Sequence, residues 1–103
     1  MKQEVDKMKI NLYISTRTLT SEGRVFAYTL RKKIDVKIVT NKIKKIVKKY
    51  LPSNDQGLFF YVRIFNDKNE DERAGFTTLH SVKDVDKAMK EIKDSYLYFL
   101  KGR

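Results

Sequence analysis

Residues 24–51, RVFAYTLRKKIDVKIVTNKIKKIVKKYL, change their hydrophobic period partway along, and that change decides the fold. Arg24 to Leu30 is a β-branched and aromatic run of strand character. From about Asp35 to Leu51 the spacing becomes helical. Val36, Val39, Ile43, Ile46, Val47 and Tyr50 recur at helical intervals, and lysines fill the other face. The stretch Pro52–Gly57 (PSNDQG) then breaks the pattern. Upstream, Ile10, Leu12 and Ile14 alternate with Asn11, Tyr13 and Ser15, the period of a half-buried strand. A turn from Thr18 to Gly23 connects that strand to the next, so the unit is strand, strand, helix.

The same scheme recurs after the break. Leu58 to Phe65 is a strong strand, Asn66 to Glu72 a polar turn, and Arg73 to Leu79 a second strand. Ser81 and Asp84 have the spacing of a capping box, in which the serine hydroxyl and the carboxylate satisfy backbone amides reciprocally. Val85, Ala88, Met89, Ile92, Tyr96 and Phe99 form the apolar stripe of a second helix. A shift of 49 positions superposes the halves without a gap from the second strand onward. It matches Arg24 with Arg73, Thr29 with Thr78, Asp35 with Asp84, Ile43 with Ile92 and Leu51 with Leu100, and the first strands need one extra residue of shift. Internal duplication of residues 9–51 and 58–100 and a merely shared ββα pattern both account for this. Either way the expectation is one α+β domain over residues 1–103, with two ββα units. They form a four-stranded antiparallel sheet with both helices on one face.

Bulk properties narrow the function. A chain of 103 residues with 41% hydrophobic and 12% aromatic residues has enough apolar surface for one core and does not have the composition of a disordered tail. It has no cysteine, which excludes disulfides and cysteine-ligated metals. No run approaches the roughly 18 apolar residues of a membrane helix. The charged stretch Met1–Met8 has no apolar segment behind it, unlike a signal peptide. A cytoplasmic protein with no membrane association is expected.

The net charge of +10 is one-sided. Residues 1–51 hold 14 Lys/Arg against 4 Asp/Glu, and residues 52–103 hold 9 of each, so the excess is +10 in the first half and 0 in the second. A one-sided field suits a polyanion. Three groups of residues express it. The first is the basic helix with its approach: Arg31, Lys32, Lys33, Lys37, Lys42, Lys44, Lys45, Lys48 and Lys49, among which Asp35 is the only acid. Lysines on flexible stems serve as phosphate contacts, and a solvated helix face is the plainer alternative.

The second group is Arg17, Arg24, Arg31, Arg63 and Arg73, which lie in or beside strands. Their planar forks can clamp phosphates or guanine edges, or their stems can cover apolar neighbours. The third is the outer sheet face. If Leu58, Phe60, Val62 and Ile64 face the helices, then Phe59, Tyr61, Arg63 and Phe65 face away, and Tyr13 and Arg17 join them. Aromatics interleaved with arginine can stack unpaired bases, although a homodimer or a terminal segment would also cover such a face.

Catalysis finds little support. His80 is the only histidine and sits beside the start of the second helix. Asp67, Glu70, Asp71 and Glu72 cluster in one turn without the glycine and ligand spacing of a calcium loop. No Gly-rich phosphate loop or nucleophile elbow is present. No cofactor, metal site or catalytic residue is expected.

Residues 58–96, with the aromatic-basic strand FFYVRIF, a polar turn, the segment GFTT and a helix opening soon after, resemble the arm-site-binding amino-terminal domain of tyrosine integrases. The resemblance covers about two-fifths of the chain. It implies a sheet presented to the DNA major groove with a helix packed behind, and Tyr61, Arg63 and Arg73 nearest the DNA.

The resulting expectation is a non-enzymatic protein that binds DNA or RNA. Arg31, Lys32, Lys33, Lys37, Lys44, Lys45 and Lys48 would contact phosphates, and Tyr13, Arg17, Arg24, Tyr61, Arg63 and Arg73 would contribute from the sheet. A small inhibitor or accessory factor of viral or mobile-element origin, acting on a protein or nucleoprotein, is the alternative. A homodimeric module is a third.

Overall fold

The computed structural model describes residues 9–16, 23–65 and 71–97, with the backbone alone at residues 71–73. Strand β1 (Lys9–Ser15) and strand β2 (Arg24–Leu30) precede helix α1 (Asp35–Tyr50). A single 3₁₀ turn, Leu51–Ser53, leads to strand β3 (Leu58–Phe65), strand β4 (Asp71–Leu79) and helix α2 (Val82–Ser95). The four strands form one antiparallel sheet in the order β2-β1-β3-β4. Each hairpin therefore contributes one central and one edge strand, and β1 and β3 pair across the middle.

Strict alternation selects the buried face. Ile10, Leu12 and Ile14 lie opposite Ile64, Val62 and Phe60, and all six are buried. Leu30 on β2 faces Ile10, and Leu79 on β4 faces Leu58, which widens the apolar floor to the edge strands. The helices lie on this floor. α1 buries Val36, Val39, Ile43 and Val47, and α2 buries Val85, Ala88, Met89 and Ile92. Each fully buried aliphatic or phenylalanine side chain contributes roughly 1.5–3 kcal/mol of transfer free energy, so this shared cluster is the main source of stability. Neither helix is long and apolar enough to cross a membrane.

Both helices are entered through the same device. The Asp35 carboxylate accepts from the backbone amides of Arg31 and Lys32, each at 3.3 Å. The Asp84 carboxylate accepts from the amide of His80 at 2.8 Å. In each unit the acid reaches the amide four residues back, where it satisfies an orphan donor beside the positive end of the helix. This differs from the expected capping box. Ser81 is the N-cap, but its side chain makes no capping bond, and the carboxylate reaches one residue beyond it.

Other details depart from the sequence reading. β4 begins at Asp71, two residues early, because a register shift between Ile64 and Phe65 lets pairing continue past Arg73 to an Asp71–Phe65 contact. A ladder is made by backbone groups, so acidic side chains do not stop it. α2 ends at Ser95 although its apolar stripe continues; Tyr96 adopts φ −125° and leaves the helix. The Tyr96 hydroxyl lies 3.2 Å from where a Cβ on Gly75 would stand, so glycine gives it room against β4. Phe99 is outside the described residues. The corresponding pairs Ile10–Leu30 and Leu58–Leu79 are separated by 48 (58 − 10) and 49 (79 − 30) positions, so the first strands take one residue less of shift, not one more.

The link between the units is held by Asn54 and Gly57. The Asn54 side-chain amide donates to the Tyr50 carbonyl at 2.7 Å, capping the end of α1, and the Gly57 amide donates to the Asn54 carbonyl at 2.8 Å. Gly57 has φ +96°, and a Cβ there would lie 2.7 Å from Thr78 Cγ2 and 2.9 Å from the Leu79 carbonyl oxygen. Gly57→Ala therefore meets both backbone strain and a steric clash. We expect it to lower stability in urea denaturation by at least about 1–3 kcal/mol, whereas Asp55→Ala, at an exposed neighbour, leaves the midpoint nearly unchanged.

Candidate nucleic-acid interface

The face of the sheet turned away from the helices is built from the other strand rows. Tyr13 on β1 lies directly opposite Tyr61 on β3, and their rings stack with centroids 6.1 Å apart. Tyr61 in turn faces Phe76 on β4, which is 56% exposed. The Phe76 ring packs diagonally on Phe59, with centroids 5.8 Å apart. Two ring pairs from three adjacent strands thus stand on one face, with Tyr61 and Phe76 as cross-strand register partners. Stacked and tilted pairs at these separations suit the ring quadrupole and hold the surface rigid at little entropic cost.

Cations border the rings. The Arg24 guanidinium lies 4.2 Å from the Tyr13 ring centroid. Lys9 Nζ and Arg63 Cζ lie 5.3 Å and 5.2 Å from the Phe65 centroid. Arg24 reaches its place through an irregularity. Ile14 pairs with Phe26 but Ser15 pairs with Arg24, so the register shifts there. A bulge of this kind re-aims the side chains beside it. Between the cations, the Thr29 hydroxyl donates to the Asn11 carboxamide oxygen at 2.9 Å. The chemistry on offer is planar stacking in the middle and positive charge at the margins.

The basic helix lies on the other layer. Lys37, Lys45 and Lys48 are exposed there, above the core, and Arg31, Lys32 and Lys33 are exposed on the loop that leads from β2 into α1. Lys44 has a partner: its ammonium lies 2.8 Å from the Asp86 carboxylate of α2, tying the two helices together. Lys42 Nζ lies 5.3 Å from the Tyr28 centroid, and Tyr28 packs against the core, so that lysine covers the edge of the helix layer.

The expected site residues therefore divide. Arg24, Tyr61 and Arg63, together with Tyr13, share the open sheet face. Lys37, Lys44, Lys45 and Lys48 belong to the helix layer, and Arg31, Lys32 and Lys33 to the loop between β2 and α1. Arg73 sits at the register position opposite Ile64, but its side chain lies outside the described residues, as does all of Arg17. The acidic turn residues Asp67 and Glu70 also lie outside them, with Asp71 and Glu72 described by backbone alone. Among the described residues, no three His, Cys, Asp or Glu side chains cluster as metal ligands.

Two members of the open face were not singled out from the sequence, Phe76 and Lys9. Lys9 alternates with Ile10, so its phase could have shown it. Phe76 follows only from the β3–β4 register. That register, unbroken from Leu58–Leu79 to Ile64–Arg73, pairs residues of two different strands, which residue types alone do not specify.

The Lys44–Asp86 pair offers a test of what holds the two helices together. Its side chains are 32% and 63% exposed, so solvent screens it strongly. A double-mutant cycle of Lys44→Met and Asp86→Asn in urea denaturation should give a coupling of about 0–1 kcal/mol; a much larger value would mean that the helix layer depends on this ion pair. Comparison with protein-family models, with curated proteins and with solved structures finds no match to this chain.

Proposed function

We propose that this is a non-enzymatic nucleic-acid-binding protein that holds unpaired bases on its open sheet face. The observation that supports this most is the pair of ring contacts on one sheet face, Tyr13–Tyr61 and Phe59–Phe76, with Arg24 against Tyr13 and Lys9 against Phe65 further along the same face. Bases present flat π-faces once they are unstacked, and each base–aromatic stack is worth about 1–3 kcal/mol. Arginine and lysine at the margin suit the phosphates that join successive bases. A duplex keeps its bases stacked inside, and phenylalanine rings carry no polar edge with which to read a groove. The aromatic face therefore favours single strands over duplexes.

The integrase resemblance favours the other substrate, duplex DNA read by β3 with α2 behind it. Tyr61 and Arg63 on the open face and α2 on the opposite one agree with that arrangement as well, so the two substrates are separated by experiment.

Fluorescence anisotropy with labelled single-stranded DNA, single-stranded RNA and a matched duplex tests the proposal. Single strands should bind more tightly. Tyr61→Ala and Phe76→Ala should each weaken binding about tenfold with an unchanged salt slope. Arg24→Gln should lower the slope of log affinity on log salt by about 0.7. Lys45→Glu with Lys48→Glu should leave short-oligonucleotide binding within about twofold, the two lysines lying on the other layer. The proposal fails if no oligonucleotide binds at low salt, or if the lysine reversals abolish binding while the ring variants retain it.

A further inference from the structure

A second surface of different chemistry lies on the helix layer. α1 and α2 run antiparallel, since each follows an edge strand and those strands point in opposite directions. Between the start of α1 and the end of α2 lies a groove of about 480 Å³. Its floor is aliphatic. Val36 and Met89 are core residues, Leu97 is half-buried, and Ile34 stands at the mouth 61% exposed. Its rim is cationic, with Lys33 and Lys37 on one side and Lys90 and Lys93 on the other.

The acids nearby do not cancel this rim. Asp86 also lines the groove, but its carboxylate is held by Lys44 at 2.8 Å. Asp94 holds Lys90 at 3.0 Å. Lys33, Lys37 and Lys93 have no carboxylate within salt-bridge distance among the described residues. The groove thus pairs apolar contact with uncompensated positive charge on both banks.

We infer that this groove takes an acidic amphipathic helix of a partner protein. Such a helix would lay an aliphatic stripe, repeating at i, i+3 or i+4 and i+7, onto Ile34, Val36, Met89 and Leu97. Its flanking Asp and Glu would meet the lysines. Met89 on the floor accommodates side chains of differing shape. Charge complementarity and the aliphatic floor together select this occupant. Nucleic acid fits less well, because no aromatic side chain lines the groove among the described residues and phosphates would leave the aliphatic floor unmatched. A membrane surface would not follow a concave site. The inference is independent of the open sheet face, which lies on the other layer.

The test uses the full chain and a labelled synthetic peptide of roughly 16 residues, long enough for a helix of four turns. The peptide carries leucines on one helical stripe and glutamates on both flanks. Comparison peptides are a scrambled sequence of the same composition and an oligo-glutamate of equal charge. The stripe peptide should bind at least about tenfold more tightly than either, through floor contacts the others cannot align. Lys37→Glu with Lys93→Glu, both exposed positions, should cost a further tenfold or more while leaving the circular-dichroism melt and oligonucleotide binding unchanged. Ile34→Ser should weaken the stripe peptide alone. A single-stranded oligonucleotide should bind without displacing the peptide. The inference is overturned if the stripe peptide does not bind, if all three peptides bind alike, if the charge reversals have no effect, or if the oligonucleotide displaces the peptide. Loss of oligonucleotide binding with peptide binding intact would count only against the sheet-face proposal.

Discussion

The pairing of β1 with β3 sets the rest of the molecule. Leu12 opposite Val62 and Tyr13 opposite Tyr61 are successive rungs of one antiparallel ladder, and they point to opposite faces. The first rung belongs to the core beneath the helices and the second to the open face. Because side chains alternate with a period of two, a slip of one residue would exchange the rows. It would expose Ile10, Leu12 and Ile14 and push Lys9, Asn11 and Tyr13 toward the helices. The burial of these aliphatics therefore holds the aromatic face in place as well.

A two-layer protein built this way has two outer surfaces that cannot meet. The outer face of the sheet and the outer face of the helices are separated by the core, with layers about 10 Å apart. The cations of the two surfaces differ in how they are held. Arg24 lies flat against Tyr13, where its guanidinium is both cation and planar partner. The lysines of α1 extend from a helix surface as mobile, hydrated point charges. The open face is thus suited to flat ligands, and the helix layer to anionic side chains beside aliphatic ones.

The two ββα units share their construction and differ in charge. Asp35 and Asp84 lock equivalent loops, and both helices bury four aliphatic positions on the same sheet face. α1 has one acid in its whole length, whereas α2 carries Asp84, Asp86, Glu91 and Asp94. Their one direct ion pair, Lys44 with Asp86, joins the basic unit to the balanced one. The remaining lysines of α1 therefore look outward or into the inter-helix groove.

Much of the fold was legible in residue periodicity. The limits of β2 and β3, the start of α1, the buried stripes of both helices and the layer arrangement all follow from where apolar residues recur, because burial acts on each element through its own period. The assignment of Tyr13, Tyr61 and Arg63 to the outer face followed from the same alternation. What only the tertiary structure decided was which rows stand side by side. Phe76 joined Tyr61 through the β3–β4 register, and Arg24 reached Tyr13 through the register shift at Ser15. The separation of the helix lysines from the sheet arginines, and the groove between α1 and α2, likewise arise from packing. The reason is physical: periodicity is a property of neighbours in the chain, whereas a site is made by contacts between residues far apart in it.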